Sequence, residues 1–378
     1  MSLTIDTVET IPLSVELDEP FGYSQAWVTE RTGLLVRLTA SDGTVGWGEC
    51  WGPIAGTKET IDGFLAPRLV GRNPRNIEEI HDDLHQLSRA AYQSVIPLPA
   101  ISGVDIGLWD LLGKVRGVSV TDLLGGRRRE AVRAYATGHY FRDISELSEQ
   151  YRLIAAEAAE NADRFGAIKA KIGLQLLGYG SDEDVELVRR IREAIGPDAT
   201  LMVDANYAYD RATARQVGRS LAELGVHWFE EPVDPEDETG YVALRDVLDV
   251  RIAGGECHPP AAFTRLFEAG GLDIAQPDIC NVGGITAAKR VATLAQGAHV
   301  PVVPHVWGTP IALAASLQFI GSLYGSPWLE FDNSPNPLRT ELATTHFTPD
   351  ERGRVSIPKE PGLGVELEEA ALERFRAN

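Results

Sequence analysis

Lysine is scarce in this chain of 378 residues, with six positions (Lys58, Lys114, Lys169, Lys171, Lys289 and Lys359) against 29 arginines. Cysteine is scarcer still: Cys50, Cys257 and Cys280 are scattered and odd in number, which argues against a disulfide framework and suits a reducing compartment. No stretch reaches about 18 consecutive apolar residues, so no membrane-spanning helix is expected, and the opening Met1-Ser2-Leu3-Thr4 lacks the basic and apolar segments of a secretory leader. Positive charge is also short. The 35 Lys and Arg face 55 Asp and Glu, a net charge of −20, and that balance repels nucleic acid and anionic membranes alike. A cytoplasmic protein is expected. Its acid-rich, lysine-poor surface suggests a halophilic setting, where excess carboxylates keep a protein hydrated in salt.

What is present begins with extended patterns over 3–15 and 33–49, the second split by the Ser41-Asp42-Gly43 turn, which predict an antiparallel sheet. Helical patterns follow at 57–70, 76–92 and 98–116, the last apolar enough to be buried between layers. From residue 131 short apolar runs alternate with helical segments, and most runs end in a polar residue: Lys171, Asp204, Glu230, Glu256, Asp278, His305 and Glu330, spaced by 22 to 33 residues. A strand, a helix and two loops need about that length. The fold class expected is α/β, a TIM-like barrel of such units over 127–339, although a doubly wound sheet shares the alternation, with an α+β domain over 1–126 and a tail over 340–378 that returns to it.

Chemistry concentrates at the strand ends. Asp204, Glu230 and Glu256 end three consecutive strands, and three carboxylates at one point require a cation. All-oxygen ligation favours Mg²⁺ ahead of Mn²⁺ or Ca²⁺. Lys169 and Lys171, two apart in an extended run, share a face, and two neighbouring ammoniums beside a metal lower the pKa of one of them from about 10.4 toward that of a general base. Asp278 and His305 end neighbouring strands, where a carboxylate on one ring nitrogen fixes the tautomer and leaves the other free to move a proton. Glu330 completes the ring as a donor or acceptor to substrate. Weaker candidates near the mouth are His139, after the first strand, and His258, after Glu256, with Asn206 and Trp307 two residues beyond Asp204 and His305. The pair His81 and His85 lacks the glutamate a zinc peptidase places after its first histidine, and is read as a solvated face. No phosphate loop, dinucleotide fingerprint or nucleophile elbow is found.

The segments Lys169-Ala-Lys171, Val203-Asp204-Ala-Asn206, Trp228-Phe-Glu230-Glu-Pro232, Gly254-Gly-Glu256, Gln276-Pro-Asp278, Pro304-His305 and Glu330-Phe-Asp332 together resemble the enolase superfamily and, within it, the mandelate racemase-like group. Val132–Gly138, Pro304–Thr309 and Leu329–Asp332 are similar to the branch of galactarolactone and 3,6-anhydrogalactonate cycloisomerases. The resemblance implies a (β/α)7β barrel under a capping domain whose segments around Tyr23 and Trp51 choose the substrate, Mg²⁺ on Asp204, Glu230 and Glu256, and removal of the proton α to a carboxylate to give a metal-stabilised enediolate. Lys171 and the His305–Asp278 dyad are then the opposed acid and base, Lys169 an electrophilic partner and Glu330 a donor to the enediolate oxygen. The expected partner is a small-molecule sugar acid or lactone, taken by a homo-oligomer, and the expected reaction is β-elimination to a 2-keto-3-deoxy acid. Racemisation or epimerisation of a 2-hydroxy acid on the same residues, or a non-catalytic metal-binding barrel, are the alternatives. Muconate-type cycloisomerases and dipeptide epimerases rank lower because they use a lysine where this chain has Asp278.

Overall fold

The computed structural model of the chain describes residues 3–90 and 96–377. Its first unit is an antiparallel sheet in the order β3-β2-β1-β5, made of β1 (Ile5–Tyr23), β2 (Ala26–Ala40), β3 (Val45–Cys50) and β5 (Phe141–Arg142). Strands β1 and β2 run past the expected boundaries because they form one long hairpin, in register from Ile5↔Ala40 to Tyr23↔Ala26 with a shift between Glu16 and Phe21. That shift absorbs unpaired residues and bends the ribbon, and the tip at Ser24 and Gln25 reaches the barrel. The helix Leu98–Arg116 is buried along nearly its whole length and ends at Gly117 with φ 67°, a left-handed cap that glycine adopts without strain. Strand β3 lies close against this helix. A Cβ at Gly48 would sit 1.8 Å from the carbonyl oxygen of Gly103, so only glycine permits the approach. The helix expected over 76–92 is present as Ile77–Ala90, its last two expected positions lying outside the described residues.

The second unit is a curled parallel sheet. Strands β4 (Ala131–Gly138), β6 (Ala167–Lys171), β7 (Thr200–Asp204), β8 (Trp228–Glu230), β9 (Arg251–Gly254) and β10 (Ile274–Ala275) pair in sequence, and β11 (Leu329–Asp332) returns to β4. The strand expected over 300–305 is reduced to the bridge Ala275↔Val302. Pro301 and Pro304 flank that bridge, and proline has no N–H to give to a ladder. Among the described residues no ladder joins this segment to β11. The seam is held by Ser326 Oγ donating to the Val302 carbonyl at 2.6 Å and the Val306 N–H donating to Glu330 Oε2 at 3.1 Å.

Inside the barrel Tyr135, Ala167, Met202, Trp228, Ala253, Ile274, Val303 and Trp328 form a separate apolar cluster. It closes the barrel from below. The tail serves both units: β12 (Arg354–Ser356) pairs antiparallel with β4, whereas the helix Glu369–Phe375 lies by β1, where the Ala377 N–H donates to the Pro12 carbonyl at 2.9 Å. Cap and barrel meet where Glu49, buried on β3, accepts from the backbone N–H groups of Thr309 and Ala312 at 2.8 and 2.9 Å. A cap carboxylate thus closes the N-terminus of the barrel helix Pro310–Ser322.

Candidate active site

One step of two residues above the apolar cluster, the inward positions become charged. Asp204, Glu230 and Glu256 offer oxygens within 4.8 Å of one another and are buried to 0%, 1% and 6% exposure. Lys169 is fully buried, bonded to Glu230 Oε1 and 2.8 Å from Glu330 Oε1. Lys171 Nζ donates to Asp204 Oδ2 at 2.5 Å and to Asn206 Oδ1 at 2.9 Å. His305 has Nδ1 2.6 Å from Asp278 Oδ2 and Nε2 3.2 Å from Glu256 Oε2. The dyad, both lysines and the three acids thus share one layer.

The charges in this layer set each other's protonation. Burial alone would lower Lys169 and Lys171, but the carboxylates around them, Glu230 and Glu330 for the first and Asp204 for the second, hold both above the ordinary lysine range. At Lys171 the pull of Asp204 outweighs both burial and the neighbouring Lys169 ammonium. His305 is raised to about 10, because Glu256, Glu330 and Asp278 outweigh burial. Glu330 is lowered to about 2 against burial by Lys169 and His305, and Asp204 falls to about 2 against burial through the two lysines. Glu230 goes the other way, to about 8, through burial and through Asp204 and Glu330, which compete for the charge of Lys169. The Lys169 ammonium bonded to it pulls the other way without reversing the shift. Two further donors, the Trp228 indole N–H at 2.9 Å and the Gln276 amide at 2.6 Å, fix Glu230 Oε2 from the barrel interior. A hard divalent cation on Asp204, Glu230 and Glu256 fits this arrangement, since all three supply oxygen and Glu230 shares the single charge of Lys169 with Glu330.

Tyr23, Trp51, Tyr140, Lys171, Asn206, Tyr207, Glu256, His305, Trp307 and Glu330 line a cavity of about 60 Å³. A cavity of about 670 Å³ between the helices Gly284–Gly297 and Pro310–Ser322 holds none of these groups, so chemistry and size point to different places. The chemistry decides, because only the small cavity joins acid, base and carboxylate cluster. Its walls come from both units. The hairpin tip bonds the loop after β7, with Ser24 Oγ on the Ala205 carbonyl and Gln25 Nε2 on the Asn206 carbonyl, each at 2.7 Å. Trp51 places its ring 5.4 Å from that of His305. Trp307 lies under the Arg31 guanidinium at 4.7 Å, itself paired with Asp332 at 3.3 Å.

Four of the weaker candidates, Asn206, Tyr23, Trp51 and Trp307, line this cavity. Two do not. His139 is fully buried, with Nδ1 2.8 Å from the Lys169 carbonyl and Nε2 3.1 Å from Asn161; its φ of 58° turns the chain under the strand ends instead of over the mouth. His258 is buried with its ring beside Tyr241 and Phe263, and burial lowers it to about 4. Glu330 lines the cavity and accepts at both oxygens, from Lys169 and from the Val306 N–H. Tyr140 and Tyr207 were missed, each standing just beyond a strand end in a loop. The positive φ values of Asn206 and Tyr207, 41° and 54°, left no mark in the sequence. Gln276 and Trp228 were legible in principle, each two residues before a site carboxylate on the same inward face.

Comparison with known proteins gives a consistent result over the whole chain. Residues 5–125 match the mandelate racemase / muconate lactonizing enzyme N-terminal domain, and residues 153–371 match the enolase C-terminal domain-like family. A D-galactarolactone cycloisomerase of Agrobacterium fabrum is 40% identical over 99% of both chains. An arabinonate dehydratase of Saccharolobus solfataricus is 32% identical over 90% of this chain and 89% of its own. The crystal structure of the 3,6-anhydro-D-galactonate cycloisomerase from Zobellia galactanivorans superposes with a TM-score of 0.89 at 37% identity, covering 99% of this chain and 100% of that one.

Proposed function

The chain belongs to the mandelate racemase / muconate lactonizing enzyme family of the enolase superfamily, and from that membership we propose that it is a Mg²⁺-dependent cycloisomerase or dehydratase. Its substrate is a sugar acid or the lactone of one, and its product a 2-keto-3-deoxy acid. The observation that carries this reading is the pairing of Lys171 with Asp204 and of His305 with Asp278 across a single small cavity.

Asp204, Glu230 and Glu256 would hold the metal, which would supply positive charge to the carboxylate of the substrate as charge develops there on deprotonation. Lys169, already fixed by Glu230 and Glu330, presents an ammonium to the same carboxylate. Lys171 is the base. Its ammonium is now held by Asp204; with Asp204 engaged as a metal ligand, the ammonium would give one proton to solvent, and the neutral amine would then be free to take the α-proton. His305 is the acid, because Asp278, Glu256 and Glu330 keep its ring protonated. The α-proton passes to Lys171 Nζ, the carbon–oxygen bond at the β position breaks, and His305 protonates the departing oxygen. The enol left behind tautomerises to the keto acid. Loss of water makes the enzyme a dehydratase and opening of a ring makes it a cycloisomerase; the 40% identity to a galactarolactone enzyme favours the ring.

Purified protein with Mg²⁺ and a panel of aldonates, aldarates and their lactones tests the reading. Semicarbazide-reactive α-keto acid is the expected product. Exchange of the α-hydrogen in D₂O with no keto acid would make the enzyme a racemase instead, and neither signal at low or high salt would sink it. The acid excess of 55 over 35 supports a salt-rich cytoplasm as its setting. Molar KCl should then raise the melting temperature by several degrees, and an unchanged value in dilute buffer would remove the halophilic reading.

A further inference from the structure

Beside the first carboxylate group lies a second. Glu231, Glu256 and Cys257 each offer an atom to a common point, all within 4.8 Å of one another. Glu231 is fully buried, and among the described residues neither of its carboxylate oxygens has a hydrogen-bond partner. Its backbone is pinned on both sides, the N–H donating to the Ala253 carbonyl at 3.0 Å and the carbonyl accepting from the Tyr207 N–H at 2.7 Å. The side chain therefore cannot leave by a simple shift of the loop. Lys169 and Lys171 are spent on Asp204, Glu230 and Glu330, so neither lysine supplies Glu231 with a donor. Burial, with Glu256 and Asp204 beside it, pushes the Glu231 carboxyl well above the ordinary range, so its two unpartnered oxygens are held by a proton or by a cation that displaces one. Cys257 is the partly exposed member of the three, which gives an ion a way in.

We propose that Glu231, Glu256 and Cys257 form a second divalent-cation site, selective for thiophilic ions such as Zn²⁺, Cd²⁺ or Co²⁺, that shares Glu256 with the Asp204–Glu230–Glu256 group. The thiolate sets the selectivity, because sulfur favours these ions over Mg²⁺. The Cys257 proton is released to solvent on binding. The inference rests on Glu256 as a ligand of the first metal, though on nothing about the substrate. Sharing one carboxylate makes the two sites antagonistic: filling the second draws charge from Glu256 and weakens the first.

The test uses the full chain saturated with Mg²⁺, titrated with Co²⁺ and separately with Cd²⁺ in the absence of substrate. A thiolate-to-metal charge-transfer band saturating at one ion per chain is expected, together with a several-fold loss of Mg²⁺ affinity in the loaded protein. Cys257→Ser should abolish the band and lower Cd²⁺ affinity by about tenfold or more, and Glu231→Gln should lower it comparably. Wild-type Mg²⁺ affinity and melting temperature in Cys257→Ser show that this variant is folded. No band in the wild type, a band that survives in Cys257→Ser through Cys50 or Cys280, or unchanged Cd²⁺ affinity in Glu231→Gln would each overturn the site. Failure to make keto acid would overturn the proposed reaction and leave the charge-transfer result standing, so the two failures are distinguishable.

Discussion

Along the strands and the loops that prolong them, a step of two residues carries the barrel interior from one chemistry to another. Met202 is followed two positions later by Asp204, Trp228 by Glu230, Val303 by His305, Trp328 by Glu330, and Ala167 by Lys169 and then Lys171. The lower residues pack as an apolar floor, and the upper ones carry opposing charges against one another. The floor supplies few hydrogen bonds: Trp228 reaches up to Glu230, whereas the Tyr135 hydroxyl has no partner at all. Charges above such a floor must be balanced inside their own layer, because a dry boundary on one side strengthens each pairing and penalises any group left out. This accounts for the opposite shifts of neighbouring carboxylates, Glu330 down to about 2 and Glu230 up to about 8.

The contrast is most directly broken from the upper layer. His305→Asn keeps the shape and removes the acid, so kcat should fall by about 10²–10⁴-fold while calorimetric Mg²⁺ affinity stays near wild type. Equal loss of metal binding would contradict the division of labour between dyad and acids. Lys171→Arg belongs to the same class, since a guanidinium does not give up its proton at working pH. In the floor, Met202→Ala should cost about 2–5 kcal/mol in urea unfolding through the cavity it leaves, and leave the pH profile of turnover in place. A displaced profile would show that floor and charges are coupled more tightly than the step of two implies.

Smaller effects sharpen the boundary between the layers. Gln276→Leu removes one donor to Glu230 and should lower Mg²⁺ affinity by about tenfold, whereas Glu230→Gln, which removes the ligand itself, should lower it further. The smallest effect lies outside the mouth. Asp105, on the helix Leu98–Arg116, accepts from the Thr286 N–H at 2.9 Å with its other oxygen unpartnered, and burial raises it to about 6, against the pull of His81. A carboxyl raised on folding contributes stability that is present below its unfolded pKa, here the ordinary 3.8, and lost as pH rises through 6. Asp105→Asn should therefore gain on wild type between pH 4 and 7, by on the order of 1 kcal/mol at the upper end in denaturant melts. A gap that does not change with pH would mean that the Asp105 carboxyl titrates alike in folded and unfolded chains.

The sequence by itself determined which chemistry the barrel carries. The polar ends of the apolar runs named the three acids, both lysines, the dyad and Glu330, because the period of two on a strand and the common direction of barrel strands are both properties of the chain. Asn206 and Trp307 stand two residues beyond such ends, whereas Tyr23 and Trp51 followed only from the family resemblance of their segments. Only the tertiary structure decided the rest. His139 and His258 stand in the same sequence neighbourhood, yet φ at one and aromatic packing at the other turn them away from the cavity. Lys169 is paired with Glu230 and Glu330, and Lys171 with Asp204, each partner on a different strand. In each case the deciding quantity is a distance between groups remote in the chain, and residue type and spacing along one strand do not contain it.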